Sequence, residues 1–456
     1  MEMVKRLVFF QLLVSCVAIS ALAQFKNIKL DEASEAGSAP INPAIIINPK
    51  NPKNILIGAG SDKVYVSIDG GLSWTSTTLK SKFGVLGQAA LGADSKGNVY
   101  YAHLSDPPQN ARTSEKRYDR IVVQKSMSSG KKWDGTMSTG LNAPKDQLKP
   151  SLAIHPKNGT VGLSWIQFDD YKSTDANCQS NIMYSQLKWG KGRWTKPIKI
   201  SQYAGNCADA GKTVGAPATA ISADGRVYIT WSWDNKIYFD RSMDGGEFWL
   251  SNDLTVAEHE GGWDIKIPGL MRANGNPSVK IDNSRGPFRG VVYLMWSDQI
   301  RGEDDTDIWI IRSGNGGDNW TQVVRVNNDE PGKHQFLPAM SIDPATGIVY
   351  ILFYDRRDYD DNRTDVYLAY SSDGAQTFKN TKISESTFIP QDDQDFGAKI
   401  SISAVNGTIA AAWTRMDDGK ISTWASIIND VDLIPELKKQ KQDSGKKKEK
   451  SKDKDK

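Results

Sequence analysis

Ser242-Met243-Asp244-Gly245-Gly246-Glu247-Phe248-Trp249 is the stretch that decides the fold, because the chain repeats its pattern S-x-D-x-G-x-x-W. The acidic side chain and the serine hydroxyl can hydrogen-bond local backbone N–H groups, as Asx- and ST-turns do. The glycine permits a positive φ, and the aromatic ring covers the turn. We call this pattern the box, and it predicts a hairpin turn whose acidic residue is structural. The copies are Asp69 in 67–74, Asp244 in 242–249, Asn315 in 313–320, Asp373 in 371–378, and 126–133 with Ser128 at the acidic position.

Each box belongs to a longer unit, and the chain contains seven such units. A unit has two short apolar strands and a third strand, and the box then leads into a fourth. Repetition of four short strands with Gly and Asn turns is typical of a β-propeller. The seventh unit has three strands and no box after Trp424, whereas Phe25 to Leu30 resembles the other fourth strands. We therefore predict an all-β, seven-bladed propeller of four-stranded blades closed by this N-terminal strand, with six blades as the alternative. The predicted first strands are 43–47, 89–93, 150–154, 217–221, 277–281, 338–342 and 398–402.

The two ends of the chain differ from its body in composition. Residues 1–23 combine Lys5-Arg6 with an apolar run and a final Ala-Leu-Ala, which predicts a cleaved secretory signal peptide and a secreted, periplasmic or cell-surface protein. The propeller is predicted over residues 24–430. Residues 431–456 are predicted to be a disordered tail, since residues 436–456 have ten Lys against five Asp or Glu. Such a tail solubilises the chain or contacts acidic surfaces.

The charge balance and the hydropathy narrow the possible partners. The positive net charge of the chain is carried by the tail, so the body lacks the basic character of a nucleic-acid-binding protein. No apolar run after the signal peptide is long enough to span a membrane. We therefore expect neither a nucleic-acid partner nor a transmembrane segment. The protein is expected to be a monomer.

Two cysteines remain once the signal peptide is removed, namely Cys178 and Cys207. An even pair in an exported protein is typical of a disulfide. Both residues are assigned to loops on the same side of the third blade, one within the blade and one in the connection that leaves it. A disulfide between Cys178 and Cys207 is therefore predicted.

Polar loops follow the second strands of the fifth and sixth units, on the face of the propeller opposite the boxes. Asp298 and Asp355 each follow a strand, with arginines two or three residues later or adjacent. These aspartates and arginines are interpreted either as ion pairs that pin neighbouring blades or as substrate contacts. Clustered aspartates are also the oxygen ligands that Ca²⁺ takes, so calcium is a possible cofactor, although no fixed metal-loop spacing is present. The arginines are Arg301, Arg356 and Arg357, and the clustered aspartates are Asp304, Asp305, Asp360 and Asp361.

Histidines and an aromatic residue are predicted on the same face. His103 ends a second strand, and His259 and His334 lie in connections between blades. The long connection over residues 258–275 also offers Glu260, Trp263 and Arg272. An aromatic ring among acidic and basic groups suits a sugar, whose ring stacks while its hydroxyls hydrogen-bond. The alternative for each histidine is an ordinary exposed or hydrogen-bonded loop residue.

The boxes at 67–74, 242–249 and 313–320 resemble the Asp-box, or bacterial neuraminidase, repeats of sialidase-like propellers. Asn206-Cys207-Ala208-Asp209 and Tyr354-Asp355-Arg356-Arg357 are similar to loops of secreted bacterial proteins of that kind. The resemblance covers residues 25–428 and implies a propeller that acts on a glycan. Sialidases hold the substrate carboxylate with three arginines, the first in an Arg-x-Pro motif, but residues 41–52 contain no arginine. The resemblance therefore transfers no catalytic residue.

Three functions are compatible with these residues. A sialidase-like glycoside hydrolase would use two carboxylates among Asp298, Asp355 and Glu260, one as the acid and one as the base or nucleophile. A polysaccharide lyase acting on a uronic-acid polymer would use His103 or His259 as the base and Arg272 to neutralise the developing charge. A non-catalytic propeller would bind a glycan or a protein without cleaving it.

Overall fold

The computed structural model describes residues 25–33, 39–60, 62–106, 118–188 and 192–437. The predicted signal peptide (1–23) and residues 438–456 of the predicted tail (431–456) lie outside these residues. In the described part of the chain, 29 strands form seven antiparallel sheets, and one short helix, α1 (Asp430–Leu433), follows the last strand. The prediction of seven blades is confirmed, and the alternative of six is wrong.

Strands are numbered in chain order, and each sheet runs from an innermost to an outermost strand. The innermost strands, from blade one to blade seven, are β2 (Ala44–Ile47), β6 (Leu86–Ala93), β10 (Asp146–Ile154), β15 (Ala218–Ile221), β19 (Ser278–Ile281), β23 (Gln335–Ile342) and β27 (Ser401–Val405). The second strands are β3 (Ile55–Ala59), β7 (Val99–Leu104), β11 (Val161–Phe168), β16 (Val227–Trp233), β20 (Val292–Asp298), β24 (Val349–Asp355) and β28 (Thr408–Asp417). The third strands are β4 (Lys63–Ser67), β8 (Ile121–Ser126), β12 (Ser180–Lys188), β17 (Lys236–Ser242), β21 (Asp307–Ser313), β25 (Asp365–Ser371) and β29 (Lys420–Asn429). The outermost strands are β5 (Thr75–Thr78), β9 (Asp134–Thr139), β13 (Arg193–Trp194) with β14 (Ile198–Lys199), β18 (Leu254–Glu258), β22 (Val324–Arg325), β26 (Lys379–Lys382) and, in blade seven, β1 (Asn27–Glu32).

Blade seven combines the two ends of the described chain. β1 pairs antiparallel with β29, so that Asn27 lies opposite Ser426 and Glu32 lies opposite Ser422. Phe25, just before β1, is buried in the same apolar cluster as Leu433 and Ile434. The outermost strand of this blade therefore comes from the beginning of the chain.

Antiparallel pairing divides the connections between two faces of the ring. The turns from first to second and from third to fourth strands emerge on one face, which we call the turn face. The loops from second to third strands and between blades emerge on the other, which we call the loop face. The boxes lie on the turn face: Ser242 Oγ accepts from the Gly246 N–H (2.8 Å) and donates to Asp244 (2.7 Å), and Trp249 donates to the Gly246 carbonyl (3.2 Å).

The core lies between neighbouring blades, because every sheet is covered on both faces. All residues of β11, β20 and β24 are buried, which explains why these strands are apolar without alternation. Box glycines contact the preceding blade directly. Gly71 has a φ of +89°, and a Cβ at that position would lie 2.5 Å from Ile427 of blade seven. A side chain at Gly71 would therefore both strain the turn and separate the two blades.

Within the described residues, no helix is both long and apolar enough to cross a membrane.

Candidate functional site

A cavity of about 480 Å³ opens on the loop face at the centre of the ring. Its wall includes residues next to the start of the innermost strands of all seven blades, where these strands meet the loop face. The volume lies within the range that small-ligand sites occupy. The charged and aromatic residues that line it are Lys149, Tyr171, Asp209, Trp263, Arg272, Asp395 and Lys399.

One carboxylate organises the wall on the side of blades three and four. Asp209 accepts hydrogen bonds from Lys149 Nζ (2.7 Å), Arg272 Nη1 (2.7 Å) and the Tyr171 hydroxyl (2.8 Å). Lys149 Nζ and Arg272 Cζ lie 4.7 and 5.0 Å from the centre of the Trp263 ring. We call Lys149, Tyr171, Asp209, Trp263 and Arg272 the Asp209 cluster. Each member comes from a different position in the sequence, so the fold alone brings the cluster together.

The backbone of the cluster is unusual at two positions. Lys149 and Asp209 both have a φ of +55°, in the left-handed region that residues other than glycine rarely adopt. Lys149 lies where the register between β10 and β11 shifts, and its N–H donates to Gln88 Oε1 of blade two (2.7 Å). Such conformations persist where surrounding contacts impose them, and they are concentrated at functional sites.

A disulfide supports the same wall. Cys178, in the loop between β11 and β12, is bonded to Cys207, in the connection between β14 and β15, as predicted. Lys172 N–H also donates to the Cys207 carbonyl (2.8 Å). The disulfide therefore joins the loop that carries Tyr171 to the connection that carries Asp209.

The protonation states of Asp209 and Tyr171 are fixed over the physiological pH range. Burial by itself would raise the pKa of Asp209, but Lys149 and Arg272 lower it to about 2. Burial, followed by the charge of Asp209, raises the pKa of Tyr171. Asp209 is therefore ionised and the Tyr171 hydroxyl keeps its proton.

Lys399, on the side of blade seven, differs from the other cations of the cavity. Its ammonium donates to the Ala89 carbonyl of blade two. Burial, followed by repulsion from Lys280, lowers the pKa of Lys399 to about 8. Lys399 thus changes its protonation state close to pH 8. Burial also lowers the pKa of Lys149, whereas the hydrogen bond and the charge of Asp209 raise that of Arg272.

The structure places two of the sequence-predicted residues, Trp263 and Arg272, in this cavity. The Trp263 ring is only 2% exposed, and its indole N–H donates to the Thr213 carbonyl (2.7 Å). The ring supports the two cations above it and has little free surface for a sugar. The Arg272 side chain is 34% exposed and is directed towards the cavity.

Asp298 and Asp355 lie outside the cavity lining and are completely buried. Asp298 accepts from the Gly261 N–H (2.8 Å) and the Trp296 indole (3.1 Å), so it holds the long connection against blade five. Asp355 is paired with Arg357 (2.6 Å), although burial leaves the pKa of Asp355 above its usual value. Neither carboxylate faces open space. The third carboxylate candidate, Glu260, is exposed and does not line the cavity.

The three predicted histidines are dispersed and do not line the cavity. His103 contacts Gln124 and the Leu104 carbonyl, and His259 contacts the Ser232 hydroxyl (2.7 Å). His334 contacts the Thr306 hydroxyl (3.0 Å). Burial lowers the pKa of each, to about 4 for His103 and His334, so all three are neutral at pH 7.

The remaining predicted arginines hold loops in place. Arg301 pairs with Asp307 (2.9 Å) and Asp305 (3.1 Å) within its own loop. Arg356 donates to the Pro268 carbonyl (2.7 Å) and thereby fixes the connection before blade five. Arg357 pairs with Asp355 of the same blade, so this ion pair does not join neighbouring blades, and its guanidinium lies 4.2 Å from the Tyr367 ring centre.

Three of the four aspartates considered for calcium form ion pairs with cationic side chains. Asp360 binds Lys333 and Asp361 binds Arg363. Asp305 binds Arg301, and Asp304 is exposed. Among the described residues, no three His, Cys, Asp or Glu side chains are grouped to hold a metal ion.

Lys149, Tyr171, Asp209 and Lys399 are the residues that the sequence interpretation missed. One signal was present: Lys149 precedes Pro150 at the start of a predicted first strand, and the residues at the same point of other units line the cavity as well. These are Asn42, Gln88, Ala216, Asn276 and Leu337.

Comparison with known proteins shows the fold but no family. No family model matches the chain, and no curated protein sequence matches it. An ulvan lyase of polysaccharide lyase family PL25 is similar in structure, with 12% identity, a TM-score of 0.53, and coverage of 88% of this chain and 96% of the lyase. The GH93 alpha-L-arabinofuranosidase of Fusarium graminearum has 12% identity, a TM-score of 0.48, and coverage of 89% and 98%. The Hadza microbial sialidase Hz136 has 14% identity, a TM-score of 0.45, and coverage of 84% and 75%. The chain thus shares its overall fold with the ulvan lyase.

Proposed function

We propose that the chain is a carbohydrate-active propeller that binds an acidic saccharide in the central cavity and cleaves it by elimination. The observation that carries this proposal is the composition of the cavity wall. The wall carries two carboxylates, Asp209 and Asp395, and three cationic side chains, Lys149, Arg272 and Lys399. Asp209 pairs with two of these cations, Lys149 and Arg272, and the side chain of Lys399 donates to the Ala89 carbonyl. A carboxylate on a sugar ring would pair with Arg272, whose side chain is 34% exposed and lines the cavity.

Hydrolysis is less well supported, because it requires a pair of carboxyl groups of which one is protonated. Asp209 is ionised at all physiological pH values, since its pKa is about 2. Asp298 and Asp355 are buried in hydrogen bonds away from the cavity lining. The residues named for hydrolysis therefore do not meet around one substrate position.

Elimination requires a base, a proton donor and a cation that neutralises the substrate carboxylate. Arg272 supplies the cation. Lys399, as a neutral amine, takes the proton from the carbon next to the carboxylate, and the electron pair forms a C=C bond as the glycosidic C–O bond breaks. Tyr171 gives its proton to the departing oxygen. The products are a saccharide with a new reducing end and an unsaturated uronate, and Lys399 and Tyr171 then exchange protons with water.

A structural neighbour supports the substrate class without adding a residue. The ulvan lyase is bound to -[GlcA(1-4)Rha3S]- in one structure, which has 12% identity and a TM-score of 0.51 to this chain. That saccharide belongs to the lyase, and the proposal for this chain rests on its own cavity.

The test is digestion of a panel of polyuronates, sialosides and neutral glycans. The near-ultraviolet absorbance of an unsaturated uronate and the formation of new reducing ends are both measured during digestion. We expect both signals to rise on a polyuronate and Arg272→Ala to reduce them by about a hundredfold or more. Arg285→Gln is the matched control, because Arg285 is an exposed arginine on the turn face. Reducing ends without absorbance would show hydrolysis and overturn elimination.

Non-catalytic binding is the second candidate, and one observation favours it. The polar groups of the Asp209 cluster are hydrogen-bonded to one another, which leaves Lys399 as the single proposed base. Saturable calorimetric binding of a polyuronate, weakened by Arg272→Ala and accompanied by no product, would establish this function.

A further inference from the structure

Large apolar side chains are exposed on one half of the turn face. They occupy equivalent positions in the boxes of blades one, two and four, at the second, sixth or seventh residue. The same positions in blades five and six carry Gly314, Asp318, Asn319, Ser372, Gln376 and Thr377. The exposed residues are Ile68 (54%), Leu72 (87%), Met127 (68%), Met243 (51%) and Phe248 (77%).

Cations accompany these apolar residues. A crevice of about 460 Å³ lies between the outer edge of blade three and the box of blade four, next to Phe248. Its wall carries three basic side chains, Lys188, Arg193 and Lys196, and one acidic side chain, Glu247. Lys131 and Lys132 are exposed in the same box as Met127. The turn face of blades one to four therefore combines apolar tips with an excess of basic side chains.

Both ends of the described chain meet this face. β1 begins at its turn-face end, and α1 follows the turn-face end of β29. The sequence that continues from Leu437 has ten Lys against four Asp or Glu over residues 438–456. The lysine-rich segment therefore joins the propeller on the face that already carries the apolar and basic groups.

We propose that this half of the turn face docks on an anionic lipid membrane. Stable attachment to a bilayer surface takes two signals, apolar side chains that enter the interface and basic groups that attract anionic headgroups. Both are present on one face. An acidic polysaccharide would account for the lysines but not for the exposure of Leu72 and Phe248. In this arrangement the central cavity points away from the membrane.

The test is co-sedimentation of the full chain, purified after export, with phosphatidylcholine vesicles that contain or lack phosphatidylglycerol. We expect binding to the anionic vesicles that weakens with salt. Leu72→Ser combined with Phe248→Ser is expected to reduce the binding by about tenfold or more, as is the set Lys188→Gln, Arg193→Gln and Lys196→Gln. All five side chains are exposed or line an open crevice, so the variants should fold.

Matched controls exist on the loop face. Ile300 and Ile389 are 42% and 50% exposed there, so Ile300→Ser combined with Ile389→Ser should leave vesicle binding unchanged. Equal binding by the turn-face variants and the wild type would overturn the proposal. Retention on an acidic polysaccharide gel without vesicle binding would also overturn it. The same holds if deletion of residues 438–456 abolishes vesicle binding while the turn-face variants bind normally. None of these outcomes depends on the cavity, so the proposed glycan activity is tested separately.

Discussion

Asp209 is the residue on which the cavity wall depends. Its carboxylate compensates Lys149 and Arg272 and orients the Tyr171 hydroxyl, although its own side chain is only 4% exposed. Charged groups in such a position are stable only while their partners are present, because an unpaired charge in a buried site is costly.

Asp209→Asn should therefore lower the free energy of unfolding by about 2–4 kcal/mol at pH 7. The folded pKa of Asp209 lies below its unfolded value, so the ionised carboxylate contributes its stability above about pH 4 and loses it as the pH falls towards 2. Urea unfolding of both proteins between pH 7 and pH 2 measures this. The difference should shrink with falling pH, and a constant difference would contradict the assignment. Asp304→Asn, in an exposed loop, is the control.

Lys399 gives a prediction for the alkaline pH range. Because its folded pKa is about 8, the neutral amine increases as the pH rises through 8, and kcat/KM on a polyuronate should rise with it. Lys399→Gln should lower kcat by about a hundredfold or more and remove that rise. The folded pKa is below the unfolded one, so the wild type should also gain stability relative to the variant between about pH 8 and pH 10. Lys420→Gln, an exposed lysine on the loop face, should change neither measurement.

The sequence predicted Arg272 and Trp263 near a site, but it did not predict their partners. Tyr171 and Asp209 lie in irregular loops, where no periodicity relates one residue to another. Lys149 lies in a strand, where its apolar neighbours favour a structural interpretation. Conversely, Asp298 and Asp355 were predicted as catalytic candidates, because the sequence does not show which groups bind them. In the structure a backbone N–H group donates to Asp298 and Arg357 donates to Asp355.

At the scale of elements, the box and the apolar strands were sufficient to predict most of the blades. The predicted first strands agree with β2, β15 and β19 to within a residue, because each ends in a short turn. Blade three departs from the pattern, because its outermost strand is divided into two short strands, β13 and β14. The sequence from Tyr184 to Trp194, where the box of that unit would lie, has no acidic residue, so it lacks a side chain that fixes most of the other turns.

The disulfide joins two loops that contribute to the candidate site. Cys178→Ser combined with Cys207→Ser opens a loop with a sequence separation of 29 residues, which should cost about 3–4 kcal/mol of stability. The loop of Tyr171 is then free to leave Asp209, so calorimetric binding of a polyuronate should weaken severalfold. Wild type treated with a reducing agent should behave like the double variant. Unchanged binding in both would show that the disulfide does not support the cavity wall.

At the scale of the whole molecule, the ring depends on the contact between its ends. Phe25 is 6% exposed and packs on the last blade, so Phe25→Ala should lower the free energy of unfolding by about 3–5 kcal/mol. Phe248→Ala is the matched control, because this side chain is 77% exposed and its loss should cost less than about 0.5 kcal/mol. Thermal or urea unfolding of the two variants compares them directly. Equal effects would mean that the N-terminal segment does not stabilise the ring.

The pairing of β1 with β29 also sets the order in which the protein can be completed. The Ser426 hydroxyl donates to the Lys26 carbonyl, 400 residues away along the chain. A ribosome releases β1 first and its partner nearly last, so the first strand must wait with its edge uncovered while the intervening blades assemble. Contacts this distant in sequence form slowly, and an uncovered strand edge can pair with another chain. Until blade seven has been synthesised, β1 therefore has no partner strand and the ring of the nascent chain stays open.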